Sequence, residues 1–159
     1  MDERFKTMRH IETVRNCINA VVKALLHRAE QHDQSKLQNP EREMFDKWTE
    51  KLRGSTYGSP EYKAMTAEMR KEALQHHYDN NRHHPEFHKG GVNDMNLIDI
   101  VEMFCDWYAA GKRHADGDIY KSIAVQTEKL KLDPMLVKIF QNTADWIVGS
   151  EIFHHAEES

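Results

Sequence analysis

Apolar residues recur along this chain at the three- and four-residue spacing of amphipathic helices. In the first such stretch the apolar positions are Met8, Ile11, Val14, Ile18, Val21, Val22, Leu25 and Leu26. Charged residues occupy the other face of this stretch. A similar apolar stripe occurs near the C-terminus, between Leu136 and Val148. Both stripes are predicted to face a hydrophobic core. Sustained alternation rich in β-branched residues does not occur, so a sheet is not expected.

Capping residues and prolines divide this pattern into six helices. Asn39, Ser59 and Asp133 each precede a proline, which is favoured at the first position of a helix, and Asp94 and Asp118 are further N-cap candidates. The predicted helices are residues 4–31, 40–53, 60–80, 95–113, 118–130 and 134–148. The sequence therefore predicts an all-α protein, a compact single-domain bundle of about six helices over residues 1–150 with a charged tail at 151–159.

Composition narrows the class of protein. The chain has 159 residues, two cysteines and a net charge of −4, which favours neither a disulfide framework nor a general nucleic-acid-binding surface. An apolar run of the ~20 residues that span a membrane is lacking, and the N-terminal sequence does not resemble a secretory signal. A cytoplasmic protein without a membrane partner is expected. Eleven histidines are present, four of them within residues 76–84.

An acidic stripe runs along the segment from Leu97 to Trp107. Asp99, Glu102 and Asp106 fall within an arc of about 60° on a helix that is otherwise apolar. Such a helix is expected to be largely buried. Its carboxylates then either reach water through a narrow window or face a cationic group inside the protein, because unpaired buried carboxylates are costly.

A histidine–aspartate doublet, His32 and Asp33, is followed by Lys36. Adjacent side chains do not share a helix face, but at a helix terminus they can converge on one ion. Imidazole nitrogen and carboxylate oxygen together suit a borderline divalent metal. Lys36, one turn beyond Asp33, is a candidate contact for an anionic substrate.

A second histidine-rich segment spans residues 76–88. On an unbroken helix, His77 and His84 would lie ~10 Å apart along the axis. The asparagines at positions 80 and 81 tolerate a helix end, and Pro85 disfavours helical geometry at His84. With a break at this point, His77 and the pair His83–His84 approach one cluster; the alternative is a polar helix end with surface histidines.

Taken in order, these residues resemble the pattern of the HD-domain superfamily of metal-dependent phosphohydrolases, which are helical proteins. The pattern is a lone histidine, a histidine–aspartate doublet, further histidines and a late aspartate. More narrowly, the strings HDQSKLQNPE, HHYDNNRHHPEF and FQNTADW resemble a family of small HD-like proteins of bacteria and their phages, over residues 10–146. The resemblance implies a helical fold and a bacterial, or phage-encoded, cytoplasmic protein.

The resemblance also implies one or two divalent transition-metal ions, of Mn, Fe, Co, Ni or Zn. The implied metal ligands are His10, His32, Asp33, His77, His84 and Asp106. Asp33 would bridge two ions, with either His83 or His84 completing the second. His10 requires a break near residues 16–20, because on a continuous helix it lies ~33 Å from His32. Glu41 and Glu102 are candidates for orienting ligand imidazoles.

The implied reaction is hydrolysis of a nucleotide or other small phosphate ester by metal-activated water. Asp33, Lys36 and His83 are the predicted catalytic residues, with Lys36 stabilising phosphoryl charge and His83 protonating the leaving oxygen. Two alternatives stay open: a di-iron oxygenase with the same ligand types, and a non-catalytic helical module stabilised by metal. A homodimer is a further expectation.

Overall fold

The computed structural model of this protein describes residues 2–53, 60–112 and 118–150. Within these ranges the chain forms six α-helices and no strand, which confirms the predicted all-α class. The helices are α1 Glu3–Gln31, α2 Glu41–Arg53, α3 Pro60–Asn80, α4 Leu97–Lys112, α5 Ile119–Leu130 and α6 Pro134–Val148. Three short 3-10 turns lie at Gln34–Leu37, Pro85–Phe87 and Gly91–Asp94. None of the helices in the described part of the chain is long and apolar enough to cross a membrane.

Side-chain caps set several of these helix ends. Asp118 accepts a hydrogen bond from the Tyr120 amide, and Asp133 accepts one from the Met135 amide, as the sequence predicts. The predicted cap at Asp94 is wrong, because this carboxylate accepts a hydrogen bond from the Gly90 amide instead. Asn96 caps α4 by accepting from the amides of residues 98 and 99. Ser59 and the tail at 151–159 lie outside the described residues.

The chain comprises two compact units, and the division between them falls within α4, after Asp99. The second unit has an apolar interior: Phe140 of α6 stacks on Phe104 at a ring-centroid distance of 5.6 Å and meets Trp107 edge-on at 5.3 Å. Met103 and Ile123 are buried with them. The organisation of residues 1–150 as one domain stays a prediction.

The first unit has an unusually polar interior. Its buried apolar residues include Trp48 of α2 and Ala73 of α3, and these two helices pack together. Its buried polar residues are Glu41, His77, Asn81, His83 and Asp99. Buried polar and charged groups persist only where they are hydrogen-bonded, ion-paired or bound to metal. The buried polar residues of this unit are therefore expected to contact one another, a counter-ion or a metal ion.

Among the residues that the structure describes, none forms a core against the stripe of α1 between Met8 and Val22. Every residue from Asp2 to Lys23 is exposed, and α1 contributes no buried residue. The predicted core role of this stripe is therefore wrong for a single copy of the protein. Helical periodicity identifies an apolar face, but it does not identify what covers that face.

Candidate metal centre

The His32–Asp33 doublet lies where α1 ends. His32 is the C-cap of α1, and Asp33 follows with a left-handed backbone conformation, φ 55° and ψ 14°. Aspartate is one of the few non-glycine residues that adopt this region readily. The reversal turns the Asp33 carboxylate away from the helix axis and towards residues that follow α3. The expectation that the doublet sits at a helix terminus is confirmed.

The histidine-rich segment breaks where the sequence predicts. Helix α3 ends at Asn80, and His84 is extended before Pro85. The Asn81 amide group, which is buried, donates to the backbone carbonyl of His77 and to the Ser35 hydroxyl, both at 2.8 Å. These bonds hold the end of α3 against the turn that follows Asp33. The break folds His83 and His84 back towards His77.

Four side chains meet at this junction and define what we call the metal cluster: Asp33, His77, His83 and His84. One potential ligand atom from each lies within 4.8 Å of the others. His77 Nε2 lies 2.9 Å from His84 Nε2 and 3.2 Å from Asp33 Oδ1, while His83 Nε2 lies 3.6 Å from the same oxygen. Ligands that are 2.0–2.1 Å from a metal stand about 2.9–3.4 Å apart at octahedral or tetrahedral angles. The spacing of the cluster suits a shared ion.

Asp33 Oδ1 is the best-placed atom for that ion. It is buried and accepts no well-aligned hydrogen bond from the described residues, although the imidazoles of His77 and His83 flank it. Buried carboxylate oxygens normally accept hydrogen bonds or bind a cation. Burial raises the pKa of Asp33, but the neighbouring His77 imidazole and the Lys36 ammonium outweigh this effect and hold the pKa well below its usual range. The carboxylate is therefore ionised, as a metal ligand must be.

Glu41, at the start of α2, lies behind the cluster and is fully buried. Its Oε2 lies 3.1 Å from His77 Nδ1, and its Oε1 lies 2.8 Å from His76 Nδ1. A carboxylate that accepts the Nδ1 proton of an imidazole leaves Nε2 as a lone-pair donor for metal. Burial raises the pKa of Glu41, but hydrogen bonds from His76, Ser35 and His77 outweigh it and lower the pKa. The proposed orienting role of Glu41 has the geometry that it requires.

Glu41→Gln is expected to weaken metal affinity by about 10–100-fold, the usual effect of losing a group that orients a ligand. The neutral amide keeps the side-chain shape but accepts on one atom only, so it no longer supports both imidazoles. Isothermal titration with Zn²⁺ or Mn²⁺ measures the change. Glu43→Gln, at an exposed position on the same helix, is the matched control. Equal affinity in the two variants would contradict the role of Glu41.

Lys36 and His32 flank the other oxygen of Asp33. Lys36 Nζ lies 2.6 Å from Asp33 Oδ2 and is partly exposed, so the lysine pairs with a cluster carboxylate rather than standing apart from it. His32 Nε2 lies 3.6 Å from the same oxygen, and the His32 ring lies 4.4 Å from the ring of His83. His32 is thus adjacent to the cluster. Its role as a ligand stays a prediction.

The two remaining predicted ligands are His10 and Asp106. Helix α1 is continuous from Glu3 to Gln31, so the break that His10 requires does not exist. His10 is exposed and lies ~33 Å from His32 along the helix, and the prediction that it binds the same ion is wrong. Asp106 is half-buried on α4 in the second unit, and its role as a ligand stays a prediction, as does the orienting role of Glu102.

The first carboxylate of the acidic stripe faces cations. Asp99 is fully buried and accepts hydrogen bonds from Arg28 and from Arg82, the latter at 3.3 and 3.2 Å. The backbone amide of Asn96 donates a hydrogen bond to Asp99 Oδ2 at 3.2 Å. Of the two alternatives for this stripe, Asp99 follows the second, with arginine as the cation. Arg82 therefore supports this buried carboxylate.

Comparison with known proteins gives one result. No curated protein and no solved structure shows significant similarity to the chain. The model of one family, a family of unknown function (DUF5662), matches residues 1–146, which include every residue of the metal cluster. Since this match covers well over half of the sequence, the chain belongs to that family.

Proposed function

We propose that this protein is a metal-dependent phosphohydrolase that acts on a nucleotide or another small phosphate ester. The observation that carries the proposal is the metal cluster: three imidazoles gather with the Asp33 carboxylate, one oxygen of which is buried and accepts no well-aligned hydrogen bond from the described residues. Glu41 is placed to orient the imidazole of His77, as carboxylates do in metalloproteins. The resemblance of the doublet and its neighbours to the HD-domain superfamily supports the reaction class.

Each side chain of the metal cluster has a proposed role. Asp33 Oδ1, His77 Nε2 and His84 Nε2 are the proposed ligands. A bound divalent ion supplies a water molecule whose pKa falls from ~15.7 towards ~7. His83, whose ring lies 4.1 Å from that of His84, is proposed to protonate the leaving oxygen. His32 and Asp106 are proposed as ligands of a second ion on the resemblance alone.

Lys36 is the proposed contact for the phosphoryl group. Its ammonium already lies beside Asp33, and its side chain is partly open to solvent, so an anion at the cluster can reach it. A fixed cation at this position stabilises the charge that develops on the phosphoryl oxygens. It also offsets repulsion between the Asp33 carboxylate and an anionic substrate.

The test combines metal analysis with a hydrolysis screen. We expect elemental analysis of the purified protein to find about one or two transition-metal ions per chain. We expect phosphate release from p-nitrophenyl phosphate or from nucleotides when Mn²⁺, Co²⁺, Ni²⁺ or Mg²⁺ is added, and chelation should remove it. The reaction should proceed under nitrogen.

Each failure has a distinct meaning. Bound iron with oxygen consumption and no phosphate release would replace hydrolysis by oxygenase chemistry. Bound metal with no turnover across the panel would favour a non-catalytic, metal-stabilised module. Absence of bound metal after reconstitution would contradict the metal cluster itself.

Lys36→Ala should retain metal but raise KM for a phosphate ester by about tenfold, which is the effect of losing one charge-assisted hydrogen bond. Steady-state kinetics and metal titration on the same sample separate the two properties. Lys71→Ala, which removes an exposed lysine from α3, is the control. Unchanged KM, or loss of metal together with activity, would contradict a role confined to substrate.

A further inference from the structure

The N-terminal two thirds of α1 expose a long apolar face. The helix is 29 residues long, or about 43 Å, and every residue from Asp2 to Lys23 is exposed. The large apolar side chains of this face, which we call the α1 stripe, are Met8, Ile11, Val14, Ile18, Val21, Val22 and Leu26. Their exposed fractions range from 41% to 63%. Such a stripe normally has a partner.

The size of the α1 stripe argues for a protein partner. Seven large apolar side chains, each about half exposed, present on the order of 700 Å² of largely apolar surface. Monomeric soluble proteins typically leave no contiguous apolar patch beyond about 300–600 Å². A standard protein–protein interface buries about 800 Å² on each side. The stripe with its polar margins supplies roughly that area.

The pattern of the stripe selects a second copy of the same helix. Ile11 and Ile18, like Val14 and Val21, are seven residues apart, which is the repeat of paired helices. Met8 and Leu26 are five full turns apart on the same side of the stripe, and residue 17 lies midway between them. The stripe is thus nearly symmetric about its centre. A symmetric stripe is self-complementary across a two-fold axis.

We propose that two copies of this protein associate through the α1 stripe, with the two α1 helices antiparallel and the two-fold axis near residue 17. In this arrangement Met8 of one copy lies opposite Leu26 of the other. Glu12 and Lys23 project about 20° apart on one margin of the stripe, so Glu12 of each copy faces Lys23 of the other. Antiparallel pairing also opposes the two helix dipoles favourably.

The first test is the mass of the protein in solution. Sedimentation equilibrium of the full chain should give twice the 18.7 kDa chain mass at micromolar concentration. Ile18→Lys places a charge in the centre of the stripe and should raise the dissociation constant of the dimer by at least about tenfold. Ala20→Lys adds the same charge on the opposite face of α1 and should leave the dimer unchanged. A wild-type monomer, or equal affinity in both variants, would overturn the proposal.

The second test fixes the orientation, and it does not depend on the folding of the lysine variant. Cys17 and Cys105 are exposed, so both are first replaced by serine. In that background, a chain with Met8→Cys mixed with a chain with Leu26→Cys should form an intermolecular disulfide on mild oxidation. Neither chain alone should do so efficiently. Disulfide formation by the Met8→Cys chain with itself would overturn the antiparallel arrangement.

Discussion

Asp33→Ala is expected to lower metal affinity by at least about 100-fold, because it removes a ligand rather than a group that only orients one. Phosphate release should fall with it. The change deletes the buried oxygen that lies 3.2 Å from His77 Nε2 and 3.6 Å from His83 Nε2. Helix content should stay near the wild-type value, since the packing of α2 on α3 is untouched. Isothermal titration, turnover and circular dichroism measure the three properties.

Asp33→Asn separates the loss of the metal ligand from the effect of the substitution on the backbone conformation at position 33. Alanine disfavours the left-handed conformation at position 33 by roughly 1–2 kcal/mol, whereas asparagine tolerates it. Asp33→Asn should therefore keep wild-type stability and still lose most of the metal affinity, because it removes the negative charge. Asp46→Ala, at an exposed position on α2, is the control. Normal turnover in either Asp33 variant would refute the assignment of this residue.

Asp99→Ala is expected to produce the largest loss of stability, about 3–5 kcal/mol in the free energy of unfolding. The carboxylate is fully buried and contacts both Arg28 and Arg82, and the Arg28 side chain is only 20% exposed. Removing the carboxylate takes away the fully buried anion that both guanidinium groups contact. Urea denaturation followed by circular dichroism, in the presence of chelator, measures the change apart from metal binding.

Arg82→Ala is the matched comparison for Asp99→Ala. The Arg82 side chain is 44% exposed, so its loss removes a solvent-screened interaction and should cost only about 1 kcal/mol. Asp99 would keep its contacts with Arg28 and with the Asn96 amide. Equal destabilisation by the two substitutions would contradict the view that Asp99 organises this group of residues.

Much of the secondary structure could be predicted because its causes are local. The predicted helix 60–80 matches α3, and prolines and caps located α5 and α6 to within a residue. The cap of α4 was misassigned because Asp94 and Asn96 are both good capping residues, and only the turn before the helix decides between them. The exposure of α1 could not be predicted, because periodicity does not reveal whether the covering surface belongs to the same chain.

The site was predictable in part for a similar reason. Asn80, Asn81 and Pro85 signalled the break that brings His84 to His77, and this expectation is confirmed. His76 and Ser35 carry no signal of their own in the sequence. Their contacts with Glu41 depend on how α2 meets α3 and the turn Gln34–Leu37. The prediction that His10 is a ligand is wrong because it rests on the resemblance to the HD-domain pattern alone. No residue in the sequence marks the break in α1 that this role requires.

The helix ends at the metal cluster have an electrostatic consequence. Both α1 and α3 terminate beside it, one at His32 and the other at Asn80, so two sets of carbonyl oxygens carry partial negative charge into the same region. The backbone itself thus favours a cation there before any side chain is counted. For the phosphate substrate proposed above, this potential is unfavourable, and the ammonium group of Lys36 beside Asp33 offsets it.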